Sequence, residues 1–263
     1  MRHALFLLPF LAVALPAHAA EQISISYRLD VTSVTMMTAK FDLDFSPDAV
    51  RAKARIKNKG ISELFSQYSA KVMIESKIRD AEIRPAQFHL TREKRDRTKE
   101  TLVSWNDGGK VSVDPPAHRK AEVRAKVEQA LTGDVADPIT AILRVGSSGA
   151  NPCPSVQLAF DGQNVFQLTF RDLGKGEAEA GSYRGPVQNC EVRWSPIAGS
   201  SAEKGEPGED YRVAFAPAGT LPSGKTLWLP VSLTGSIKGL PFEATVTKLD
   251  TGSGKAAQAP AQD

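Results

Sequence analysis

The sequence lacks the patterns that identify most enzymes. It contains only four histidines, and two of them precede the predicted leader cleavage, which leaves His89 and His118. His89 lies on the polar side of an alternating segment, and His118 follows a Pro-Pro pair at an expected helix start. No G-x-S-x-G, H-E-x-x-H or phosphate-loop pattern occurs. We therefore expect no catalytic residue, no metal and no cofactor.

A strong charge of either sign is also lacking. The formal net charge is +3 at pH 7, and it falls by one when Arg2 leaves with the leader. Charged residues make up 24% of the chain, which is ordinary for a soluble protein. Nucleic-acid-binding domains usually have a pI above roughly 9 with clustered Lys and Arg. The composition therefore predicts no nucleic-acid partner.

Long apolar runs are absent except at the start of the chain. A basic Met1–His3 precedes the apolar Ala4–Leu15, and Pro16–Ala19 ends in small residues. About 12 apolar residues fall short of the ~20 that span a bilayer, so the pattern is typical of a secretory signal peptide. No cysteine follows for lipid attachment. We expect residues 1–19 to be removed and the mature chain to be soluble, periplasmic and without a transmembrane segment.

Cysteine is scarce, with only Cys153 and Cys190. Export favours a disulfide between them. The loop would span 190 − 153 = 37 residues and contribute roughly 3–4 kcal/mol through chain entropy. Free buried thiols, a redox pair and metal ligation remain as alternatives, although no C-x-x-C motif is present.

Alternation of apolar and polar residues fills most of the chain and predicts strands. It is strictest in Gln22–Val31 and recurs in Met37–Phe45. Asp161-Gly162 predicts a hairpin between Val156–Phe160 and Val165–Phe170. A third strand around Cys190 is expected to return to the first strand of that hairpin.

About a dozen strands without β-α-β alternation predict a mainly β fold. We expect one domain over residues 20–250, built as a curved or spiral antiparallel sheet, or open barrel, with one or two short helices packed in or on its concave side. Its disulfide-clasped core is expected at 151–199. Residues 251–263 are rich in Ala, Gly, Gln and Pro and are expected to be disordered.

Two helices are predicted near the middle of the chain. Arg119–Leu131 has apolar residues at four-residue spacing. The second begins with Asp137 as N-cap and Pro138 in the first turn, and ends at Gly146. Further along, Gly199–Asp210 is expected to be a mobile surface loop.

Several motifs together resemble a known family. Asp137–Thr140 reads Asp-Pro-Ile-Thr, Ala159–Phe170 carries the hairpin, and Tyr183-Arg-Gly precedes Cys190–Gly199. The chain resembles the exported proteobacterial envelope family named domain of unknown function 3108, from about Tyr27 to Leu249. That resemblance implies a wrapped sheet similar to that of periplasmic lipoprotein carriers. It implies no activity and no ligand residues.

Three groups of polar residues are candidate sites. Asp30, Asp42 and Asp44 recur on polar strand faces, where a solvated surface is favoured over a carboxylate pair of the glycosidase type. Asp137 is expected to act as a helix cap. A charged run supplies candidates for docking anionic envelope material, and its alternative role is a solvated hairpin that protects an edge strand: Arg92, Lys94, Arg95, Arg97 and Lys99.

A set of apolar residues is the remaining candidate. It could line a cavity for a lipid or an apolar peptide under the helices, and an ordinary core is its alternative. The set comprises Met36, Met37, Phe65, Met73, Trp105, Ile139, Ile142 and Trp228.

These observations predict a monomeric periplasmic protein that acts without catalysis. The leading hypothesis is a concave face that binds an acyl chain or apolar peptide during envelope maintenance. The alternative is a structural module that docks to another envelope protein through an edge strand or the charged hairpin. A hydrolase acting on the cell wall is the third.

Overall fold

The computed structural model describes residues 21–60, 62–63, 67–116, 120–237 and 239–251. Most of these residues lie in strands, and the helices are short. The strands are β1 (Glu21–Val31), β2 (Val34–Phe45), β3 (Ala49–Asn58), β4 (Tyr68–Arg79), β5 (Glu82–Lys94), β6 (Arg97–Trp105), β7 (Val111–Asp114), β8 (Val135–Ala136), β9 (Ser155–Phe160), β10 (Val165–Ala180), β11 (Tyr183–Ala198), β12 (Glu209–Thr220), β13 (Thr226–Ile237) and β14 (Leu240–Thr251). The helices are α1 (Ala121–Ala130), α2 (Pro138–Gly146) and α3 (Ser200–Glu203).

All the strands belong to one curled, non-closed sheet, which confirms the predicted fold class. Their order is β7-β6-β5-β4-β3-β2-β1-β14-β13-β12-β11-β10-β9-β8. Every pair is antiparallel except β8 with β9. Two meanders, β1–β7 and β9–β14, therefore meet where β1 pairs with β14. The expected return of the third strand to the first was wrong, because β11 pairs with β10 and β12.

The two edges of the sheet are joined by the chain itself. Strands β7 and β8 are consecutive in sequence but lie at opposite edges, and the segment between them contains α1. Side chains also bridge the gap between the two edges, which we call the seam. Trp105 Nε1 in β6 donates to the Val135 carbonyl oxygen in β8 at 2.8 Å. Arg144 Nε donates to the Ile83 carbonyl oxygen at 2.6 Å. The sheet is thereby curled around α2.

Helix α2 forms as its sequence predicts. Asp137 Oδ1 accepts hydrogen bonds from the backbone N–H groups of Ile139 at 3.0 Å and Thr140 at 2.9 Å, which satisfies donors that the first turn leaves free. At the other end, a Cβ on Gly146 would collide with the carbonyl oxygen of Trp228. Only glycine permits this close approach of helix and strand. The first helix is shorter than predicted and begins at Ala121.

The core fills the space between α2 and one part of the sheet. Phe45 and Phe160 are completely buried there, and Leu143 is only 2% exposed. The Ser76 and Thr140 hydroxyls are 2.7 Å apart and join β4 to α2 inside this core. Large aromatic and branched side chains on the strands thus meet the buried side of the helix.

A second cluster surrounds the cysteines. Cys153 and Cys190 form a disulfide bond, with their Cα atoms 6.1 Å apart, and pack with Phe170 and Phe215.

Part of the expected mobile loop is regular, since Gly199–Asp210 contains α3 and the start of β12.

The sheet also splits between β13 and β14. Their pairing ends at Ser232–Thr245, and the tip of the β10–β11 hairpin lies beside β14 beyond that point. The Leu249 N–H donates to Ser182 Oγ at 2.9 Å. Gly181, with φ +60, lies so close to β14 that a Cβ would collide with its backbone. The hairpin tip therefore occupies the position that β13 leaves.

Some predictions concern residues outside the described ranges. The expected leader, 1–19, is among them, and so is the expected tail apart from Thr251, which is the last residue of β14.

Candidate functional site

An apolar groove lies on the inner surface of the sheet, beside α2. Its volume is about 410 Å³. The walls are formed by β1, β2, β3, β13, β14 and the first turns of α2. The lining residues are Ile25, Tyr27, Leu29, Met37, Thr38, Ala39, Phe41, Leu43, Ile56, Pro138, Ile139, Ile142, Leu143, Leu229, Pro230, Ser232, Leu233 and Ala244.

The lining contains almost no hydrogen-bonding capacity. Among the described residues, no charged side chain lines the groove. The hydroxyl of Tyr27 is engaged, because it donates to the Pro230 carbonyl oxygen at 2.6 Å, and burial raises the pKa of Tyr27. Strand pairing places Thr38 and Ser232 in one row with Arg28, on the outer face. Within the described ranges, no free polar side chain therefore points into the groove. The groove therefore suits a hydrocarbon better than a polar ligand.

Helix α2 has two differently packed sides. Ala141, Leu143 and Val145 are buried, each in a different apolar cluster, whereas Ile139 and Ile142 are half-buried. The two isoleucines line the groove together with Leu143. Branched side chains are thus left without full covering. This is the local reason for an open apolar surface in an otherwise packed protein.

The predicted apolar set is only partly brought together. Met37, Ile139 and Ile142 line the groove. Met36, at the β-bulge of β2, is not among the lining residues. Met73 is 46% exposed, because it alternates with the buried residues of β4. Phe65 lies outside the described residues.

Both tryptophans of the set lie elsewhere. Trp105 is buried at the seam and lines a separate polar cleft. Trp228 packs against the disulfide cluster and donates from Nε1 to the Gly149 carbonyl oxygen at 3.0 Å. Sequence reasoning also missed Tyr27, Phe41 and Leu233 as lining residues. The strict alternation of β1 and β2 was the signal that could have identified the first two.

The predicted docking residues occupy the β5–β6 hairpin. Arg92 is half-buried, and its Nε is buried without a hydrogen-bond partner among the described residues. Lys94, Arg97 and Lys99 are exposed. Arg95 stands in the turn with φ +53. The hairpin is thus a projecting cationic corner of the sheet.

A larger, polar cleft of about 900 Å³ lies at the seam near Trp105. Its carboxylates are largely engaged: Asp107 contacts Lys77 at 2.8 Å, and Asp134 contacts Arg144 at 2.9 Å. The Lys77 hydrogen bond is the main reason why the pKa of Asp107 is lowered. A general acid needs the opposite shift.

His89, Asp30 and Asp42 have structural partners. His89 Nε2 lies 3.7 Å from Glu100 Oε2, and His118 is outside the described residues. Asp30 accepts from Thr35 at 2.7 Å, and Asp42 accepts from Ser24 at 2.9 Å. Within the described ranges, no three His, Cys, Asp or Glu residues are grouped as a metal site. No helix there is long and apolar enough to cross a membrane.

Comparison with known proteins identifies the family but no activity. The sequence model of a family described as "Protein of unknown function (DUF3108)" matches residues 23–218. The match stops short of β13 and β14. No curated protein matches the chain.

One solved structure is similar in overall form. It is described as a beta-barrel-like protein of domain of unknown function DUF1849 from Brucella abortus. The identity is 11% and the TM-score 0.47, over 88% of this chain and 97% of that chain. A likeness at this level carries no functional argument.

Proposed function

The chain belongs to the DUF3108 family of proteins of unknown function, and from that premise we propose that it is a non-catalytic envelope protein whose groove holds an acyl chain. The groove's composition carries the proposal. A hydrocarbon chain gains about 0.8 kcal/mol for each methylene removed from water. The volume of about 410 Å³ lies within the ~300–1,000 Å³ usual for small-molecule sites.

An acyl chain fits this lining better than a peptide. Each peptide unit brings an N–H and a C=O group that need partners when buried. Among the described residues, the groove offers no unengaged polar side chain, because Thr38 and Ser232 lie in the outer-face row of Arg28. A peptide lying there would leave most of its backbone groups unpaired, whereas a hydrocarbon has none to pair.

A periplasmic location is part of the proposal. Its supports are the predicted signal peptide at 1–19 and the Cys153–Cys190 disulfide, which persists in oxidising compartments such as the periplasm.

Filling the groove tests the proposal. Ala39 lines it as a small, half-buried residue, so Ala39→Phe should weaken binding of a fluorescent fatty acid about tenfold or more, or ~1.4 kcal/mol. Met73→Phe is the matched control, because Met73 is exposed on the opposite side of the sheet. It should bind as the original chain does.

Native mass spectrometry of protein purified from the periplasm provides the direct measurement. A co-purifying lipid that is lost in Ala39→Phe supports the proposal. Absence of any lipid, together with no fatty-acid binding by the original chain, would overturn it.

A docking module is the second candidate, and one feature of β6 favours it. Strand β7 covers only Leu102–Trp105, so Arg97–Thr101 has no outer strand partner among the described residues. An open edge can accept a strand from another protein. Crosslinking followed by pull-down tests this: a stoichiometric protein partner lost on charge reversal at Arg95 and Arg97 supports the module, and an unchanged profile contradicts it.

A further inference from the structure

One cross-strand row of the sheet connects the groove to the cationic corner. Successive pairings place these residues side by side across β1 to β6: Tyr27, Ala39, Ile56, Ala70, Arg92 and Lys99. Directly paired residues point to the same face of a sheet. Since the first three line the groove, Arg92 and Lys99 lie on the groove's side of the sheet.

The neighbouring row brings two more cations to that side. Lys94 pairs with Arg97, and both lie two residues from the Arg92–Lys99 pair. Side chains two residues apart in a strand share a face. Four cationic side chains of the β5–β6 hairpin therefore face the inner surface.

These positive charges are not compensated nearby. Among the described residues, none of the four forms an ion pair within 4.0 Å. The acidic residues of the hairpin strands, Glu93 and Glu100, alternate to the outer face. Glu93 is engaged there by Ser69 at 2.8 Å and Lys71 at 3.2 Å. Asp96 is exposed in the turn.

The geometry matches a molecule with an apolar body and an anionic end. Two strand spacings separate Ile56 in the groove from Arg92, which is roughly 10 Å. Arginine binds phosphate through paired N–H donors, and the buried Nε of Arg92 has no hydrogen-bond partner among the described residues. Ala70, a small and buried residue, lies between the two in this row.

We propose that the ligand is an anionic phospholipid, with an acyl chain in the groove and its headgroup phosphate bound by Arg92, Lys94, Arg97 and Lys99. The inference rests on the proposed function, because it needs the groove to hold the chain. The added claims are the class of the ligand and the residues that bind its headgroup.

Paired lipids test the headgroup assignment. Phosphatidylglycerol and phosphatidylcholine with identical chains are compared by native mass spectrometry and by displacement of the fluorescent fatty acid. We expect phosphatidylglycerol to bind about tenfold more tightly, because its phosphate charge is uncompensated, whereas the choline cation of phosphatidylcholine neutralises the phosphate and is repelled by the four cations. The preference should shrink as salt is raised.

A charge-matched pair of variants locates the effect. Arg92→Gln with Lys99→Gln should reduce the preference to about twofold or less, because it weakens phosphatidylglycerol binding more than phosphatidylcholine binding. Lys53→Gln with Arg55→Gln removes the same charge from exposed positions on the outer face of β3 and should keep the preference. Lys99→Gln alone, at an exposed position, covers the case in which the double variant does not fold.

The outcomes separate the two proposals. Equal affinity for both lipids, with both displacing the fatty acid, would overturn the headgroup site and leave the acyl groove standing. If neither of the two lipids nor the fatty acid binds, both proposals are overturned. Glycerophosphate binding as tightly as the lipid would show a free-phosphate site, and an unchanged preference in the double variant would contradict the assigned residues.

Discussion

Between helix α2 and the sheet, the space is completely filled on one side of the helix and open on the other. On one side, Phe45 and Phe160 fill the space completely. On the other, Ala39 and Ala244 are small, and Ile142 is half-buried above them. Both regions come from strands with the same alternation of apolar residues. The comparison teaches that apolar patterning selects the face of a strand, while side-chain volume decides whether that face becomes a core or a groove.

Truncation in the packed region should have the largest effect. Phe160→Ala removes a ring that is 0% exposed and leaves a cavity that the core cannot close. We expect the free energy of unfolding to fall by about 3–5 kcal/mol, measured by urea denaturation. Phe41→Ala in the half-buried groove wall should cost clearly less. Equal losses would show that the groove is as tightly packed as the core.

Removing the disulfide should come next. Replacing Cys153 and Cys190 together by Ala releases a loop with a sequence separation of 37, so the free energy of unfolding should fall by about 3–4 kcal/mol. The original chain with added reductant is the parallel measurement. Neither cysteine lines the groove, so fatty-acid binding by the folded fraction should be unchanged. Its loss would show that the disulfide cluster supports Ile142 and Leu233 of the groove wall.

Loss of the helix cap should have an intermediate effect. Asp137→Ala frees the first N–H groups of α2 and should lower the free energy of unfolding by about 1–2 kcal/mol. The cap lies where the core and the groove meet, so the substitution should also weaken fatty-acid binding. A loss of stability with intact binding would show that Ile139 and Ile142 do not depend on the cap.

The pH dependence of the free energy of unfolding tests the buried position of Asp137. Burial raises the pKa of Asp137, so the folded chain binds this proton more tightly than the unfolded chain. Its contribution is therefore most favourable below the ordinary carboxyl pKa and is lost as pH rises through the raised value. Asp137→Asn should gain stability relative to the original chain over that window in urea titrations. A difference independent of pH would contradict the raised pKa.

The smallest change in stability is expected in the groove itself. Ile139→Ala shortens a half-buried residue, and we expect a loss of about 1 kcal/mol or less in the free energy of unfolding. Fatty-acid affinity should fall more than stability. Met73→Ala, on the outer face, should change neither quantity measurably. If Ile139→Ala cost as much as Phe160→Ala, the distinction between the two sides of α2 would fail.

Short-range patterns predicted the parts of this fold that local chemistry determines. Alternation identified β1 and β2, the Asp137–Pro138 pair identified the start of α2, and Asp161-Gly162 identified the β9–β10 turn. The pairing of β1 with β14 joins residues more than 200 positions apart. No local signal specifies such a partner.

The groove was harder to predict for the same reason. Alternation placed Tyr27 and Phe41 on inward faces, but which inward faces are covered depends on the path of α2. Trp105 and Trp228 look equally suited to a cavity by size and polarity. Their indole N–H groups instead bond the carbonyl oxygens of Val135 and Gly149, and these partners become visible only when the sheet is curled.

Because β1 pairs with β14 in the middle of the sheet, the strands can be followed in space from β8 to β14 and then from β1 to β7. This is the chain order with a different starting point. Ile23 pairs with Thr251, so a short linker could join these strands covalently. If new ends were then opened between Asp114 and Ala121, the strands would run from β8 through β14 and β1 to β7 without a jump. Such a circular permutant keeps every strand neighbour and cuts only the covalent tie between the outer edges. The sheet should therefore still assemble, with curvature held by α2 and the seam contacts alone.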